Sequence, residues 1–347
     1  MEKKQLLDAL GANDIPYRRV DIGGGMEIIL SQYGGRVYGP FPISGDGDGL
    51  FWIRPAALDG ASLGEMVRKQ IWNCGGDRLW VGPEIRYSVS DRTRFWETLH
   101  TPEAVDPGTW KLHENKMTQS LHLRAVGLEA GEVSFDMEKE AGAAADPLRE
   151  LTSDPDLTHG LSYCGFCQRI RFSGSGSSVE PWSLLQVKPG GTILIGMTSP
   201  ACGVDYYEPA AAFEQVFPWG AALKSTGSDR YKVAYKAAQV TGRLGYLCRW
   251  NGEDCLLIRS FNCCPSGEYR EEPPQSPGVH GFAVHVYNDG NGGSEGFSEI
   301  ECSLPAVFGS TGRSSCDETI WTWIYRGSRV KLDTVGKILL GADLSRL

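Results

Sequence analysis

Long apolar runs are absent from this sequence of 347 residues. No segment approaches the roughly 20 consecutive apolar residues that a transmembrane helix needs. The first residues, MEKKQLLDALGAND, place charged side chains among the leucines, so the uninterrupted apolar stretch of a secretory signal is also missing. These absences predict a cytoplasmic protein that has no membrane partner.

Positive charge is scarce as well. Lysine and arginine number 34, against 43 aspartates and glutamates, and the formal net charge is −9. Proteins that bind a phosphate backbone rely on clustered basic residues, and the sequence contains no such cluster. We therefore expect no nucleic-acid partner and favour a neutral or small polar ligand. The sequence gives no indication of the oligomeric state.

Several motifs that mark cofactor sites are missing too. No glycine cluster is followed by a Walker lysine, no G-x-G-x-x-G opens a helix, and there is no G-x-S-x-G elbow. The stretch CGFC (164–167) lacks both a βαβ setting and a second pair of zinc ligands. The stretch GDGDG (45–49) lacks the later ligands of a calcium loop, and it predicts a turn. We expect no metal ion and no organic cofactor, and we interpret most of the ten cysteines as reduced and buried.

Glycine and proline, by contrast, are plentiful, at 44 and 19 residues. They separate short runs of aromatic and β-branched residues, among them LFWIRP (50–55), and this pattern is typical of strands. Helices are expected at residues 3–10 and from Ser62, where Ser62 would be the N-cap and Glu65 would complete a capping box. Strand patterns fill most of the remainder. We predict one all-β domain over residues 1–347, with two large packed antiparallel sheets.

Strand alternation indicates where polar side chains gather. In KMTQSLHLRAV (116–126), His122 and Arg124 share a strand face that is either exposed to solvent or in contact with a ligand. Glu299 and Glu301 share a face of a later strand, and a glycine-rich hairpin could bring His285 of the preceding strand near either carboxylate. The sequence does not fix that register. A histidine and a glutamate in a sheet concavity suit acid–base catalysis, whereas a merely solvated face is the alternative.

Aromatic residues supply a second indication. Ten tryptophans are present, and several, including Trp80, Trp182 and Trp219, lie near glycine, proline or charged residues. Flat rings of this kind could stack on the apolar face of a sugar. The alternative is that most of them fill the core of a large sandwich.

The stretch NCGGDRLWVGPE (73–84) combines these features. We expect Gly75 and Gly76 to reverse the chain before a strand, and Arg78 to point into a sugar-sized concavity. Trp80 and Glu84 would lean toward it or pack behind it. A guanidinium presents five donors in a rigid fork, which suits adjacent hydroxyl groups, and Asp77 or Glu84 could orient it. A structural ion pair is the alternative role for this arginine.

Several segments together resemble the galactose mutarotase-like superfamily, and more narrowly a bacterial branch of it. They occur in the order found in that superfamily and are GGRVYGPF, GGDRLWVGPE, FWETLHTPEAVDPGTWKL, EPWSLLQVKPGGTILI, VFPWG, SDRYKVAY, FAVHVYNDG and FSEIECSLPAV. The resemblance spans roughly residues 34–325 and is more specific for fold than for activity. It implies a large antiparallel β-supersandwich whose concave sheet binds a mono- or oligosaccharide.

The resemblance also implies roles for individual residues. In aldose epimerases of this kind, a late-strand glutamate is the base at the anomeric hydroxyl, a histidine is the acid at the ring oxygen, and an arginine holds the sugar. Glu301 matches the glutamate and Arg78 matches the arginine. The full set that we expect to bind the sugar is Arg78, Trp80, Glu84, Arg124, Trp219, Arg259 and Glu299.

One departure from the family pattern puts the activity in doubt. Where the epimerases have Asn-His before a mid-chain strand, this sequence has EPWSLLQ, without a histidine. His122 or His285 could take over as the acid. We expect an aldose epimerase-like enzyme. The alternatives are a glycoside lyase or hydrolase, which would need a carboxylate from another strand because Glu299 and Glu301 project in parallel, and a sugar-binding protein without catalysis.

Overall fold

The fold was analysed in a computed structural model that describes residues 1–127, 129–151 and 155–347. Its α-helices are α1 Glu2–Ala12, α2 Gly60–Arg68, α3 Glu84–Tyr87, α4 Phe95–Thr98, α5 Pro147–Leu151, α6 Pro155–Thr158 and α7 Arg329–Leu339. Short 3₁₀ turns lie at Tyr33–Gly35, Pro55–Leu58, Arg92–Arg94, Gly293–Glu295, Gly309–Thr311 and Leu344–Arg346.

The strands of the first half of the chain are β1 Tyr17–Asp21, β2 Met26–Ser31, β3 Arg36–Pro42, β4 Asp77–Gly82, β5 Lys111–His113, β6 Lys116–Arg124, β7 Glu132–Ala143 and β8 Ser162–Gly176. Those of the second half are β9 Glu180–Val187, β10 Thr192–Met197, β11 Val204–Asp205, β12 Glu214–Phe217, β13 Gly220–Lys224, β14 Tyr231–Lys236, β15 Val240–Trp250, β16 Glu253–Phe261, β17 Phe282–Asn288, β18 Ser298–Ser303 and β19 Ser315–Arg326.

In the described residues these strands form two large sheets. The first sheet has nine strands in the order β1-β2-β3-β4-β9-β18-β17-β14-β11, and the second has ten in the order β12-β13-β10-β15-β16-β19-β8-β7-β6-β5. Each strand pair is antiparallel. The expected all-β class, with two large antiparallel sheets, is confirmed.

The main core lies between the two sheets. Leu79, Leu185 and Ile300 project into it from the first sheet, and Leu257 and Ile324 do so from the second. Because side chains alternate along a strand, the neighbours of the first three residues point away from the second sheet. That outward face of the first sheet carries the polar residues described below.

A second apolar layer covers the opposite face of the second sheet. Leu332, Val335 and Leu339 of α7 are buried there against Leu256 and Trp323. Helix α7 was not predicted from the sequence. The three α7 residues recur at the spacing of three to four that marks a helix face.

The two N-terminal helices lie where the sequence predicts them, but one predicted helix boundary is wrong. Helix α1 contains the expected residues 3–10. The predicted N-cap of α2 is wrong, because the carboxylate of Asp59 caps this helix and accepts a hydrogen bond from the Ser62 N–H at 2.8 Å. The stretch GDGDG is irregular after a bend that ends at Gly45, and the Asp48 carboxylate accepts a hydrogen bond from the N–H of Glu2.

The segment LFWIRP is not a strand of either sheet. Phe51 forms an isolated bridge with Val187, and the N–H of Trp52 donates to the carbonyl of Gln186 at 3.0 Å. The segment thus lies between β3 and β4, which pair directly only at Val37 and Asp77.

All ten cysteines are free thiols, as expected, but only five of them are buried. The expectation that most of them pack as small buried apolar residues therefore holds for half of them. No helix in the described part of the chain has the length and apolarity that crossing a membrane requires.

Candidate functional site

A cavity of about 240 Å³ opens on the outward face of the first sheet. Its floor comes from β4, β9, β14, β17 and β18, and its rim comes from the segments around α3, α4 and the β17–β18 connection. The lining residues are Trp72, Asn73, Arg78, Trp80, Glu84, Trp96, Leu99, Thr101, Trp182, Leu184, Tyr207, Lys232, Tyr287, Asp289, Asn291, Phe297 and Glu299. Aromatic rings and charged groups of both signs therefore face the same space.

Arg78 lies at the centre of the floor and is 2 % exposed. Its Nη2 atom is 2.8 Å from Oε1 of Glu299, and its Cζ atom lies 4.3 Å from the ring centroid of Trp80 and 5.1 Å from that of Trp72. Within the described residues, Nε and Nη1 of Arg78 have no hydrogen-bond partner. A buried guanidinium with two unused donors at a cavity wall is a natural binding point for hydroxyl oxygens.

Two glycines fix the position of Arg78. Gly75 and Gly76 have φ angles of +94° and +75°, which L side chains rarely adopt. A Cβ at Gly75 would lie 2.4 Å from the Trp52 carbonyl oxygen, and one at Gly76 would lie 2.6 Å from the Val37 carbonyl oxygen. Where a chain reversal is expected before β4, the chain bends at Gly76, and its backbone passes close to the segment LFWIRP and to β3.

The groups that orient Arg78 differ from those expected. Asp77 points to the other face of β4, and Glu84 begins α3 and pairs with a lysine instead. Glu299 holds the guanidinium, and it also accepts a hydrogen bond from Nε2 of Gln186 at 2.9 Å. Asp106 lies 4.0 Å from Nε of Arg78 and accepts a hydrogen bond from Nε1 of Trp80 at 2.7 Å.

Lys232 is a site residue that the sequence did not single out. Its ammonium lies 3.5 Å from Glu84, 3.9 Å from Glu301 and 4.5 Å from the ring centroid of Trp182. Burial lowers the pKa of Lys232, but the carboxylates of Glu301 and Glu84 outweigh burial and raise it well above its ordinary value. Alternation along SDRYKVAY could have placed this lysine with Ala234 on one strand face, yet a lone lysine in a strand usually faces water.

Glu301 and His285 adjoin the cavity without lining it. They are direct cross-strand partners on β18 and β17, and both side chains are fully buried. Within the described residues, neither carboxylate oxygen of Glu301 has a hydrogen-bond partner. Lys232 contacts Glu301 and also lines the cavity, so the side chain of Lys232 separates Glu301 from the cavity.

Both groups are neutral near pH 7. Burial raises the pKa of Glu301 to about 8, against the opposing charge of Lys232. Burial and then the same ammonium hold the pKa of His285 well below its ordinary value. The Nε2 atom of His285 lies 3.3 Å from the Tyr206 hydroxyl. Burial therefore favours the protonated form of Glu301, although the ammonium of Lys232 lies 3.9 Å away.

Further buried carboxylates lie behind Glu84. The Glu84 N–H donates to Oε2 of Glu271 at 2.7 Å, and the Arg270 N–H donates to Oε2 of Glu180 at 2.6 Å. Burial raises the pKa of Glu180 to about 7, and burial followed by the charge of Glu84 raises the pKa of Glu271 well above its ordinary value. These two carboxyl groups lie behind Glu84 and do not line the cavity.

The second sheet holds the predicted residues that do not reach the cavity. His122 and Arg124 are exposed on β6, where Nδ1 of His122 lies 2.8 Å from the Ser134 hydroxyl and Nη2 of Arg124 lies 2.7 Å from Glu132. The expectation that His122 faces a binding concavity beside Arg124 is wrong. Alternation correctly groups the two residues on one face, but that face is solvated.

Arg259 and Trp219 are also displaced from the cavity. Arg259, fully buried on β16, spans the two sheets: its Nη2 atom is 2.9 Å from Asp77 and donates to Ser183 at 2.8 Å, while Nη1 donates to the Ile300 carbonyl at 2.8 Å. Trp219 stacks on Phe217 at 5.0 Å on the second sheet. The expectation that either residue contacts the sugar is wrong. Arg259 lies between the two sheets, and Trp219 packs in the apolar layer on the opposite face of the second sheet.

The structure therefore assembles part of the predicted set. Arg78, Trp80, Glu84 and Glu299 line one cavity, and Glu301 with His285 lies directly behind it. A group of three or more His, Cys, Asp or Glu side chains that could hold a metal ion is not found in residues 1–127, 129–151 and 155–347.

Comparisons with known proteins add the following. No family model matches this sequence, and no curated protein does so. Among solved structures, the chain is similar to a GalM/aldose epimerase homologue from C. elegans, with 10 % identity and a TM-score of 0.39 over 90 % of this chain and 99 % of that one. It is also similar to 4-alpha-glucanotransferase from Thermococcus litoralis, with 9 % identity and a TM-score of 0.30.

The glucanotransferase alignment covers 90 % of this chain but only 41 % of the other, so this chain spans less than half of that protein. Both TM-scores lie below 0.5, and the function is accordingly inferred from the residues of the cavity.

Proposed function

We propose that the cavity binds a saccharide and that the chain catalyses acid–base chemistry on it, in the manner of an aldose epimerase and without a metal or organic cofactor. The observation that carries this proposal is the buried Arg78–Glu299 pair, whose guanidinium lies beside the rings of Trp72 and Trp80. Arg78 offers two free donors, Glu299 offers an acceptor, and the rings offer flat apolar surfaces.

This combination fits an uncharged sugar. A hydroxylated ring has polar groups at its edge and apolar C–H groups on its faces, so it can bind charged side chains and aromatic rings at once. Arg78 and Lys232 are each already paired with a carboxylate, which leaves no uncompensated positive charge for an anionic ligand. A neutral ligand also agrees with the net charge of −9.

The acid–base groups of the proposed reaction are Glu301 and its neighbours. Anomer exchange requires a base at the anomeric hydroxyl and an acid at the ring oxygen, each worth roughly 10²- to 10⁴-fold in rate. Glu301 is the proposed base. Because burial raises its pKa to about 8, it must first release a proton, and Lys232 at 3.9 Å favours the ionised form. His285 remains the proposed acid, and because burial and the ammonium of Lys232 hold its pKa well below its ordinary value, it must take up a proton before it can donate one.

A binding protein without catalysis is the second candidate. The complete burial of Glu301 and His285, and their position behind Lys232, favour it. In that case the Arg78 side of the cavity binds the sugar, and the protonated Glu301 takes no part in any reaction.

Saturation-transfer NMR with a panel of reducing hexoses tests the proposal. We expect accelerated exchange between anomers, with a rate that rises as pH increases through about 8 because Glu301 then ionises. Glu301→Gln should abolish the acceleration while calorimetry still detects binding, and Glu97→Gln, at an exposed position, should behave like the wild type. Binding without accelerated exchange would favour the second candidate, and the absence of binding would contradict both.

A further inference from the structure

Trp96 is an exposed aromatic residue at the rim of the cavity. Of the ten tryptophans, all of them in the described residues, Trp96 is 50 % exposed and Trp321, on the second sheet, is 37 % exposed. Large apolar side chains that face water beside a cavity commonly mark a contact surface. Trp96 therefore needs a functional explanation that the buried tryptophans do not.

The ring of Trp96 is held in place from several sides. The Cζ atom of Arg230 lies 4.1 Å from its centroid, and the rings of Tyr207 and Phe95 lie at 4.6 and 5.1 Å. Glu208 in turn fixes Arg230, with its Oε1 atom 2.9 Å from Nε of Arg230. An exposed ring that is fixed in advance loses little freedom when a ligand stacks on it.

Tyr207 connects this rim to the floor. It lines the cavity, and the ammonium of Lys232 lies 5.6 Å from its ring and 4.5 Å from that of Trp182. Aromatic surface thus continues from Trp182, which is 1 % exposed, to the half-exposed Trp96. This surface is buried at Trp182, its inner end, and open to solvent at Trp96, its outer end.

The volume of the cavity indicates how much of a ligand it holds. At about 240 Å³ it is smaller than the roughly 300–1,000 Å³ of sites that enclose a drug-sized ligand. A single sugar ring is the natural occupant of the inner end. Any further ring of a longer ligand must leave through the open end, where Trp96 lies.

We infer that the site takes an oligosaccharide, with one terminal ring in the cavity and the next ring stacked on Trp96. This inference rests on the proposed saccharide binding and extends it to a class of substrate. The amide of the exposed Asn291 and the hydroxyl of the half-buried Thr101 are available to the second ring, and so is the Arg230–Glu208 pair.

Isothermal titration calorimetry on the full chain tests the inference. The probes are glucose and galactose, and the maltose and cellobiose series up to four rings. We expect the affinity for at least one series to rise about tenfold, or ~1.4 kcal/mol, between one ring and two, with little gain thereafter. Trp96→Ala should remove most of this increment, and Trp96→Phe should retain part of it.

Trp321→Ala is the matched control, because it removes an exposed tryptophan far from the cavity, and it should show the wild-type increment. Circular dichroism would verify that the variants are folded. Binding of monosaccharides with no gain from a second ring, or an increment that Trp96→Ala leaves intact, would overturn the inference while the proposed function stands. Failure of every saccharide to bind would contradict the proposed function itself.

Discussion

Glu301 and His285 face each other in register on adjacent strands, yet both are sealed behind the cavity by neighbouring side chains. Burial keeps the carboxyl protonated and the imidazole neutral near pH 7. Both groups are therefore uncharged at the start of the proposed reaction. Lys232, which contacts Glu301 and lines the cavity, is the group through which a bound ligand would influence it.

Replacement of Arg78 by Met should weaken saccharide binding by at least ~2 kcal/mol, because the fork of donors on the cavity floor is lost. It should also destabilise the fold by about 3 kcal/mol, since Glu299 would stay buried without its cation. Calorimetry and denaturant unfolding measure the two effects. The double variant Arg78→Met/Glu299→Gln should recover stability but not affinity, and recovery of both would contradict the assigned role of Arg78.

Replacement of Glu301 by Gln should change how stability depends on pH. Burial raises the pKa of Glu301 from 4.5 to about 8 in the fold, so the folded chain binds more protons than the unfolded chain between these values. The contribution of this group to the free energy of unfolding is therefore full below about pH 4.5 and is lost as pH rises to about 8.

Gln cannot ionise and does not suffer this loss. Urea unfolding should show the variant gaining at least about 2 kcal/mol relative to wild type between pH 5 and pH 8. Glu97→Gln, at an exposed position, is the control and should show no such change. An equal difference at both pH values would mean that Glu301 is ionised throughout.

Arg259→Met tests the structural role assigned to that arginine. Arg259 is fully buried and bonded to Asp77, Ser183 and Ile300, so its loss should destabilise the chain by ~3–5 kcal/mol. Arg124→Met removes an exposed pair and should cost no more than about 1 kcal/mol. At a temperature where both variants are folded, each should bind saccharide as the wild type does. If Arg259→Met weakens saccharide binding and Arg124→Met does not, Arg259 contributes to the binding site.

The sequence predicted the local part of this arrangement well. Alternation within FSEIECSLP places Glu299 and Glu301 on one face, and the short β17–β18 connection brings His285 beside Glu301. The stretch GGDRLW predicts both the bend before β4 and the orientation of Arg78 toward the cavity. Each of these features depends on residues close together in the chain, where strand period and turn chemistry act directly.

Features that depend on the order of strands were not predictable in the same way. Lys232 approaches Glu301 because β14 pairs with β17, and β17 pairs with β18; the pattern of β14 alone does not reveal this. Alternation grouped His122 with Arg124 correctly, but it could not tell an inner face from an outer one. That distinction depends on which sheet β6 joins.

Gly75 and Gly76 have a consequence beyond the turn that they form. Any side chain at these positions would collide with the carbonyl oxygens of Trp52 and Val37, and relief of that collision would shift β4 and move the guanidinium of Arg78. The orientation of Arg78, the proposed ligand-binding group, thus depends on two residues that have no side chain. If the site binds a sugar as proposed, its selectivity depends on the absence of side-chain atoms at Gly75 and Gly76 as much as on the groups that contact the ligand.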